Sequence, residues 1–201
     1  MRLTLMDFKR FSSLLLMTLF LSCQTMEEKQ TQRIQGYALG TSYSISYSAP
    51  QLPETYLERQ VDSIFEVLNQ SLSTYLPTSD ISKINQGDSL LKIDSHFVKV
   101  YQKASGVWEA TQGYFDPTVG ALVNAYGFGP GKPLKQISAQ QRDSILSFTG
   151  WDKTSLTDQG TIKKEHPKLY FDFNALAKGY VVDVIADFLR MKKVSSFLVE
   201  I

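Results

Sequence analysis

The pattern of hydrophobic and polar residues along the chain predicts strands that alternate with helices. Residues 42–48 alternate serine with tyrosine or isoleucine, the period of two that is typical of a half-buried strand. Apolar residues then recur at helical spacing between Leu57 and Leu72, and again between Phe97 and Trp108. These two stripes predict amphipathic helices, each with one face toward a core.

Shorter elements continue the alternation in the second half of the chain. Ser138 opens a capping-box pattern, which predicts the start of a helix. Turn residues at 158–160 predict a hairpin, and the apolar run 169–173 predicts a strand. A last helix is expected from about Ala175 to Arg190, followed by a strand from Phe197 onward. This spacing of elements predicts a mixed α+β fold.

The amino terminus predicts an export signal. Basic residues precede an apolar run at 11–21, which is too short to span a bilayer as a helix. The single cysteine, Cys23, follows directly, as in a bacterial lipoprotein signal, although an ordinary buried cysteine is the alternative. We predict a signal peptide at 1–22, a tether at 23–35 and a folded domain at 36–201. The protein is then expected to be exported and lipid-anchored at the membrane, facing the periplasm.

Composition excludes several classes of function. The 201 residues are 43% hydrophobic and 20% charged, which is typical of a folded globular domain. The net charge of +1 gives no general reason to bind nucleic acid. One cysteine and two histidines exclude a disulfide framework and a zinc site built mainly from those residues. We expect His96 and His166 to be surface residues.

Three clusters contain more polar and aromatic chemistry than packing requires. The first joins residues 39–41 to 72–85 and includes Tyr75, which either ends a capped turn or offers a stacking surface for a flat ring. The second runs from Gly113 to Pro130 and combines aromatics, one carboxylate and glycines. It matches neither phosphate-loop template, and an irregular structural loop is as plausible as a site.

The third cluster is a predicted junction between a strand and a helix at residues 171–180. Asp172 or Asn174 can cap the helix, whose first amides would attract a phosphate, and Lys178 adds a positive charge one turn later. A capped helix with a solvated lysine is an equal alternative.

In this order, the three clusters resemble the ApbE family of flavin transferases, the FAD:protein FMN transferases. The resemblance extends from about Gly36 to Ile201. It rests on several separate segments, which are Gly40-Thr41, Leu72 to Tyr75, Ser79 to Ser82, Tyr114 to Gly120, Leu122 to Asn124, Gly127 to Pro130, and Asp172 to Asp183.

The resemblance implies a fold and an activity. It implies a largely antiparallel sheet flanked by helices, and Mg2+-dependent transfer of FMN from FAD to a Thr or Ser hydroxyl of an acceptor protein, with release of AMP. Members are typically exported, often as lipoproteins, which agrees with Cys23. Lipoproteins that bind or hydrolyse FAD without modifying proteins, and a structural lipoprotein without a cofactor, remain the alternatives.

The resemblance also implies roles for particular residues. Ala175 would offer its backbone carbonyl to Mg2+, while Lys178 would lie near a phosphate. Leu39 stands where the family usually has methionine beside the pocket. The residues expected to contact the cofactor are Leu39, Tyr75, Tyr114, Phe115, Asp116, Asp172 and Lys178.

The end of the chain departs from the family pattern. The family's side-chain metal ligands, an Asp and a Thr, and a histidine motif lie beyond the position of Ile201, and no catalytic residue is assigned here. Because the chain stops within a predicted strand, we expect it to be the front part of a longer protein. We also expect it to be inactive as written, and robust transfer by residues 24–201 alone would refute this.

Overall fold

The computed structural model describes residues 31–201. The predicted signal peptide, Cys23 and most of the predicted tether lie outside the described residues. The strands are β1 (Gln32–Ala38), β2 (Thr41–Tyr47), β3 (Thr154–Leu156), β4 (Ile162–Lys164) and β5 (Phe197–Glu200). The α-helices are α1 (Glu54–Leu72), α2 (Asp80–Gln86), α3 (Ser95–Ala110), α4 (Gly120–Ala125), α5 (Ala139–Phe148) and α6 (Asn174–Met191).

A three-stranded antiparallel sheet in the order β1-β2-β5 supports the described domain. Ile45 on the central strand is opposite Ile34 on β1 and Val199 on β5. The alternation predicted for β2 is confirmed, because Tyr43, Ile45 and Tyr47 are all buried. The mixed α/β class with antiparallel pairing is therefore the observed architecture.

The predicted tether boundary at residue 35 is wrong, because β1 already begins at Gln32. Ile34 is buried and pairs with Ile45, so this polar segment is part of the sheet. Only one side chain of β1 is buried, so the sequence has no repeated alternation of apolar and polar residues that would predict a strand.

The long helices α1, α3 and α6 each bury one face in the core. α1 buries Leu57, Val61, Phe65 and Leu68, the stripe that its periodicity predicts. α1 contacts α6, and α3 contacts both of these helices. α5 begins with the predicted capping box, in which Ser138 and Gln141 each bond the other's backbone amide.

The predicted strand at 169–173 is not a strand. Its apolar residues alternate as expected, and Leu169, Phe171 and Phe173 are fully buried. Its ladder pairing is limited to one isolated bridge, between Tyr170 and Val119. The predicted hairpin is present as β3 and β4. Within residues 31–201, every helix is too short or too polar to cross a lipid bilayer.

Candidate functional site

A cavity of about 780 Å3 lies where the β1–β2 turn, the end of α1 and the start of α6 meet. This volume falls in the range of small-molecule and cofactor sites. Its lining is mostly apolar. The lining residues are Leu39, Gly40, Leu68, Asn69, Leu72, Ser73, Tyr75, Leu76, Phe128, Asn174, Ala177, Lys178 and Val181. The cavity therefore joins residues from the first and third sequence clusters with Phe128 from the second.

The turn between β1 and β2 forms one wall of the cavity. Leu39 and Gly40 are its two central residues, since Ala38 pairs directly with Thr41. Both have positive φ, 54° and 73°, as two-residue hairpins of the favoured type require. Leucine is an uncommon residue in this conformation, which costs about 1 kcal/mol relative to glycine. An apolar side chain on a strained backbone thus lines the cavity.

The loop after α1 forms the aromatic wall. Tyr75 is 60% exposed and its hydroxyl donates to the carbonyl of Phe128 at 3.1 Å, which links two loops distant in sequence. Phe128 itself is 79% exposed. The loop is fixed from behind, because the hydroxyl of Ser79 donates to the Ser73 carbonyl at 2.6 Å. Two aromatic rings are therefore exposed at the cavity, and hydrogen bonds fix the loop that carries Tyr75.

The first turn of α6 forms the polar wall. Its N-terminal boundary residue, Phe173, makes no side-chain capping bond. Asp172 acts instead, because its carboxylate accepts a hydrogen bond from the amide of Asn174 at 2.8 Å. Burial raises the pKa of Asp172, and the hydrogen bond from Asn174 opposes this shift. Asp172 bonds Asn174, which lines the cavity, but is not itself a lining residue. Its predicted contact with the cofactor stays a prediction.

Lys178 is the charged side chain of the cavity lining. It lies one turn into α6, where the helix dipole also favours negative charge. The first-turn amides of Asn174, Leu176 and Ala177 already donate within the protein. Among residues 31–201 it has neither an ion pair nor a side-chain hydrogen bond. The electrostatics of this end of the cavity therefore favour an anion.

The second sequence cluster is divided by the fold. Phe128 joins the cavity, whereas Tyr114 is 96% exposed and does not line it. Phe115 packs partly against the hydrophobic core. The predicted placement of Tyr114 and Phe115 in the same pocket is therefore not what the described residues show.

Asp116 has a structural role in this fold. One carboxylate oxygen accepts from the amide and the hydroxyl of Thr118, at 2.8 and 2.6 Å. The other accepts from the Trp151 amide at 3.1 Å. The fully buried Thr118 in turn accepts from the Gly150 amide at 2.8 Å. This network, the Asp116 clamp, fastens the loop before α4 to the segment after α5.

The described residues do not by themselves fit a Mg2+ site. Within residues 31–201, no group of three or more His, Cys, Asp or Glu side chains is arranged to hold a metal. Ala175 lies in the first turn of α6, so its carbonyl points along the helix toward the amide of Gly179. Mg2+ needs about six oxygen ligands in octahedral geometry, and one backbone oxygen does not provide them.

Neither histidine belongs to the cavity lining. Nδ1 of His96 is 2.7 Å from the Tyr180 hydroxyl, so this residue is a half-buried contact between α3 and α6. His166 stacks on Phe148 with ring centroids 4.9 Å apart. Both are partly exposed, and each has a packing partner that the sequence did not indicate.

Four helical residues that complete the cavity were not predicted to contact a ligand, although Leu72 and Ala177 lie within the sequence clusters. Leu68 and Leu72 were assigned to the apolar stripe of α1, and the same stripe continues to the cavity at the helix end. Ala177 and Val181 lie at i and i+4 on α6, one turn apart on the same face as Lys178. That spacing was a usable signal, because it places small and apolar residues beside the lysine.

Comparisons with known proteins agree with this fold. The family model described as "ApbE family" matches residues 39–201. A FAD:protein FMN transferase of Haemophilus influenzae is 30% identical over 190 residues, covering 90% of this chain and 54% of the relative. One from Vibrio cholerae is 32% identical over 181 residues, covering 87% and 54%. The chain thus spans about half the length of the curated relatives it matches.

Solved structures give the same result in three dimensions. The flavin transferase ApbE from Vibrio cholerae superposes with a TM-score of 0.81 at 30% identity, covering 86% of this chain and 57% of that one. The apo flavinyl transferase ApbE of Pseudomonas stutzeri gives a TM-score of 0.79 at 29% identity, covering 86% and 56%.

Proposed function

Because the chain belongs to the ApbE family, we propose that it binds FAD in the cavity between α1 and α6 and serves FMN transfer to proteins. The observation that carries the proposal is the pairing of an aromatic wall with a cationic helix start in one cavity. A dinucleotide with a flat ring system and a pyrophosphate needs both of these surfaces. The names of the relatives, FAD:protein FMN transferase, support the same ligand.

The two walls suggest how FAD is oriented. A ring of the nucleotide stacks beside Tyr75 and Phe128, two exposed aromatic residues that are linked by the hydrogen bond from the Tyr75 hydroxyl to the Phe128 carbonyl. The pyrophosphate lies toward the first turn of α6, where Lys178 offers a charge-assisted hydrogen bond and the helix dipole favours negative charge. Leu39 and Leu72 close the apolar side of the cavity.

The proposed reaction is a substitution at phosphorus. The hydroxyl oxygen of a Thr or Ser in the acceptor protein attacks the phosphorus of the FMN half of FAD. The bond from that phosphorus to the bridging oxygen breaks, AMP leaves with that oxygen, and the hydroxyl proton is released to solvent or base. For such a transfer, the binding residues contribute mainly by positioning and by neutralising the charge on the phosphates.

Mg2+ would supply further neutralisation of the pyrophosphate when bound. Its ligands would have to include oxygens other than those of residues 31–201, because these residues form no acidic cluster. The substrate phosphates are one source of such oxygens. The roles described for Lys178 and α6 do not depend on the metal.

Product analysis tests the proposed function. The chain alone spans about half of its Vibrio cholerae relative and is expected to be inactive. It is therefore joined after Ile201 to the remaining part of that relative, the hybrid is incubated with FAD, Mg2+ and envelope proteins, and the products are analysed by mass spectrometry. We expect AMP together with the mass of FMN added to a Thr or Ser of an acceptor. AMP with an equal amount of free FMN would instead indicate FAD hydrolysis. Bound but unchanged FAD would indicate a flavin-binding protein, and both outcomes would contradict transfer.

We also propose that the protein is exported and anchored to a membrane through a lipid on Cys23. The support is the basic and apolar leader that ends directly before this single cysteine. Metabolic labelling with a fatty acid should mark the wild-type protein, and the Cys23→Ser variant should remain unlabelled. Equal labelling of both, or an uncleaved leader in the wild type, would contradict the anchor.

A further inference from the structure

We propose that Asn85 is a positioning residue. Its side chain pairs with the segment 169–173 as a neighbouring strand would, and thereby holds the start of α6 at the cavity. The proposal rests on the FAD-binding role given above. Asn85 lies on α2 and does not line the cavity, so its effect on a ligand must pass through the segment it holds.

The side chain of Asn85 bonds both backbone groups of one residue. Its Nδ2 donates to the carbonyl of Phe171 at 2.9 Å, and its Oδ1 accepts from the Phe171 amide at 2.8 Å. This is the paired exchange that two opposite residues make in an antiparallel ladder. One amide side chain therefore replaces a neighbouring strand at this position.

The opposite edge of the same segment is bonded to the backbone of residues 117–120. The Asp172 amide donates to the Pro117 carbonyl at 2.8 Å, and the Tyr170 carbonyl accepts from Gly120 at 3.2 Å. Even-numbered residues are thus held on one edge and Phe171 on the other, the alternation of a central strand. This explains why the segment is extended and buried without belonging to a sheet.

Lys164 supports the same connection one step earlier. Its Nζ donates to the carbonyl of Ile84 at 2.8 Å and to that of Leu169 at 3.0 Å. The end of α2 is therefore joined to the segment at two successive points, through Lys164 and through Asn85. Only two residues separate Phe171 from the first residue of α6, so a shift at Phe171 moves Asn174 and Lys178 directly.

The test is a double-mutant cycle measured as FAD affinity on the full chain. Asn85→Ala removes both bonds to Phe171, and Lys178→Met removes the charge that we place near the pyrophosphate. We expect each variant to weaken FAD binding about tenfold, and the double variant to be only slightly weaker than either one. Asn85→Asp, which keeps the acceptor and loses the donor, should lie between wild type and Asn85→Ala.

The control separates positioning from general destabilisation. Tyr47→Phe also removes one buried bond to a backbone carbonyl, that from the Tyr47 hydroxyl to Leu52 at 3.0 Å, far along the chain from α6. It should leave FAD affinity unchanged. Additive effects of Asn85→Ala and Lys178→Met, or equal weakening by Tyr47→Phe, would overturn the proposal.

Hydrogen exchange tests the positioning role of Asn85 without FAD. If the wild type does not bind FAD, only the proposed function is refuted, and the exchange experiment still tests Asn85. In the ligand-free protein, Asn85→Ala should raise amide exchange in residues 174–178 at least about tenfold more than Tyr47→Phe does. Equal exchange in the two variants would show that Asn85 does not position α6.

Discussion

The second and third sequence clusters look alike in composition and behave differently in the fold. Asp116 is the single charged residue of the second cluster, and Lys178 is the single cation of the third, which also contains Asp172. Both segments contain aromatic residues and glycine. The two oxygens of Asp116 take three hydrogen bonds from protein donors, whereas Lys178 faces the cavity with no such partner among the described residues. A charged residue whose bonding capacity is used within the protein stabilises structure, and one whose capacity is free is available to a ligand.

The largest expected effect breaks the Asp116 clamp. Asp116→Ala leaves the Trp151 amide and both donors of Thr118 without an acceptor, so we expect a loss of about 3 kcal/mol in the free energy of unfolding. Urea denaturation measures it, with Asp183→Ala on the exposed face of α6 as the matched control. If the Asp116→Ala protein is as stable as the wild type and has lost only FAD binding, then Asp116 binds the ligand and does not serve the structure.

The next effect tests the free charge. Lys178→Met should weaken FAD binding about tenfold, the value of one charge-assisted bond of about 1.4 kcal/mol. Its free energy of unfolding should change by less than about 0.5 kcal/mol, as for other surface substitutions. Fluorescence quenching of the flavin measures the affinity. Lys103→Met on the exposed side of α3 is the control, and equal weakening by both would contradict a specific role for Lys178.

A smaller effect concerns the aromatic wall. Tyr75→Phe keeps the ring and removes the hydrogen bond to the Phe128 carbonyl, so we expect FAD affinity to fall about two- to threefold, equivalent to about 0.5 kcal/mol. Tyr75→Ala should cost more, since the stacking surface is lost. If neither variant changes the affinity, the ring does not contact the ligand.

The smallest effect is a pH dependence of stability. Burial lowers the pKa of Lys164 from 10.5 to about 8. Above pH 8 the folded chain then binds fewer protons than the unfolded chain, so the free energy of unfolding should rise with pH until 10.5 is approached. Buried tyrosines with raised pKa, such as Tyr101, oppose this near pH 10. Urea unfolding of wild type and Lys164→Met between about pH 7.5 and 9.5 should show the slope only in the wild type.

The sequence predicted the long periodic elements because their apolar stripes repeat over several turns. α1, α3 and α6 lie where the periodicity predicted them, and α5 has the predicted capping box. β1 and the short helices α2 and α4 were missed, since too few buried positions define their period. The segment 169–173 has the pattern of a strand, but its partner is the side chain of Asn85, which no local pattern can indicate.

The candidate site was predicted in part. Leu39, Tyr75 and Lys178 meet in one cavity although they are far apart in sequence. Tyr114 and Asp116 do not join them. Asp116 could not be assigned from the sequence, because composition does not show whether a carboxylate is already bonded within the protein. Metal ligation by Ala175 and lipidation of Cys23 stay predictions.

Filling the cavity tests the central claim most directly. Ala177 lines the cavity on α6, and Ala177→Trp should occupy the space between α1 and α6. Ala110→Trp, at the exposed end of α3, adds the same side chain elsewhere. We predict that wild type and Ala110→Trp bind FAD with equal affinity by calorimetry, while folded Ala177→Trp binds at least about a hundredfold more weakly. Equal binding by Ala177→Trp would show that FAD is held elsewhere.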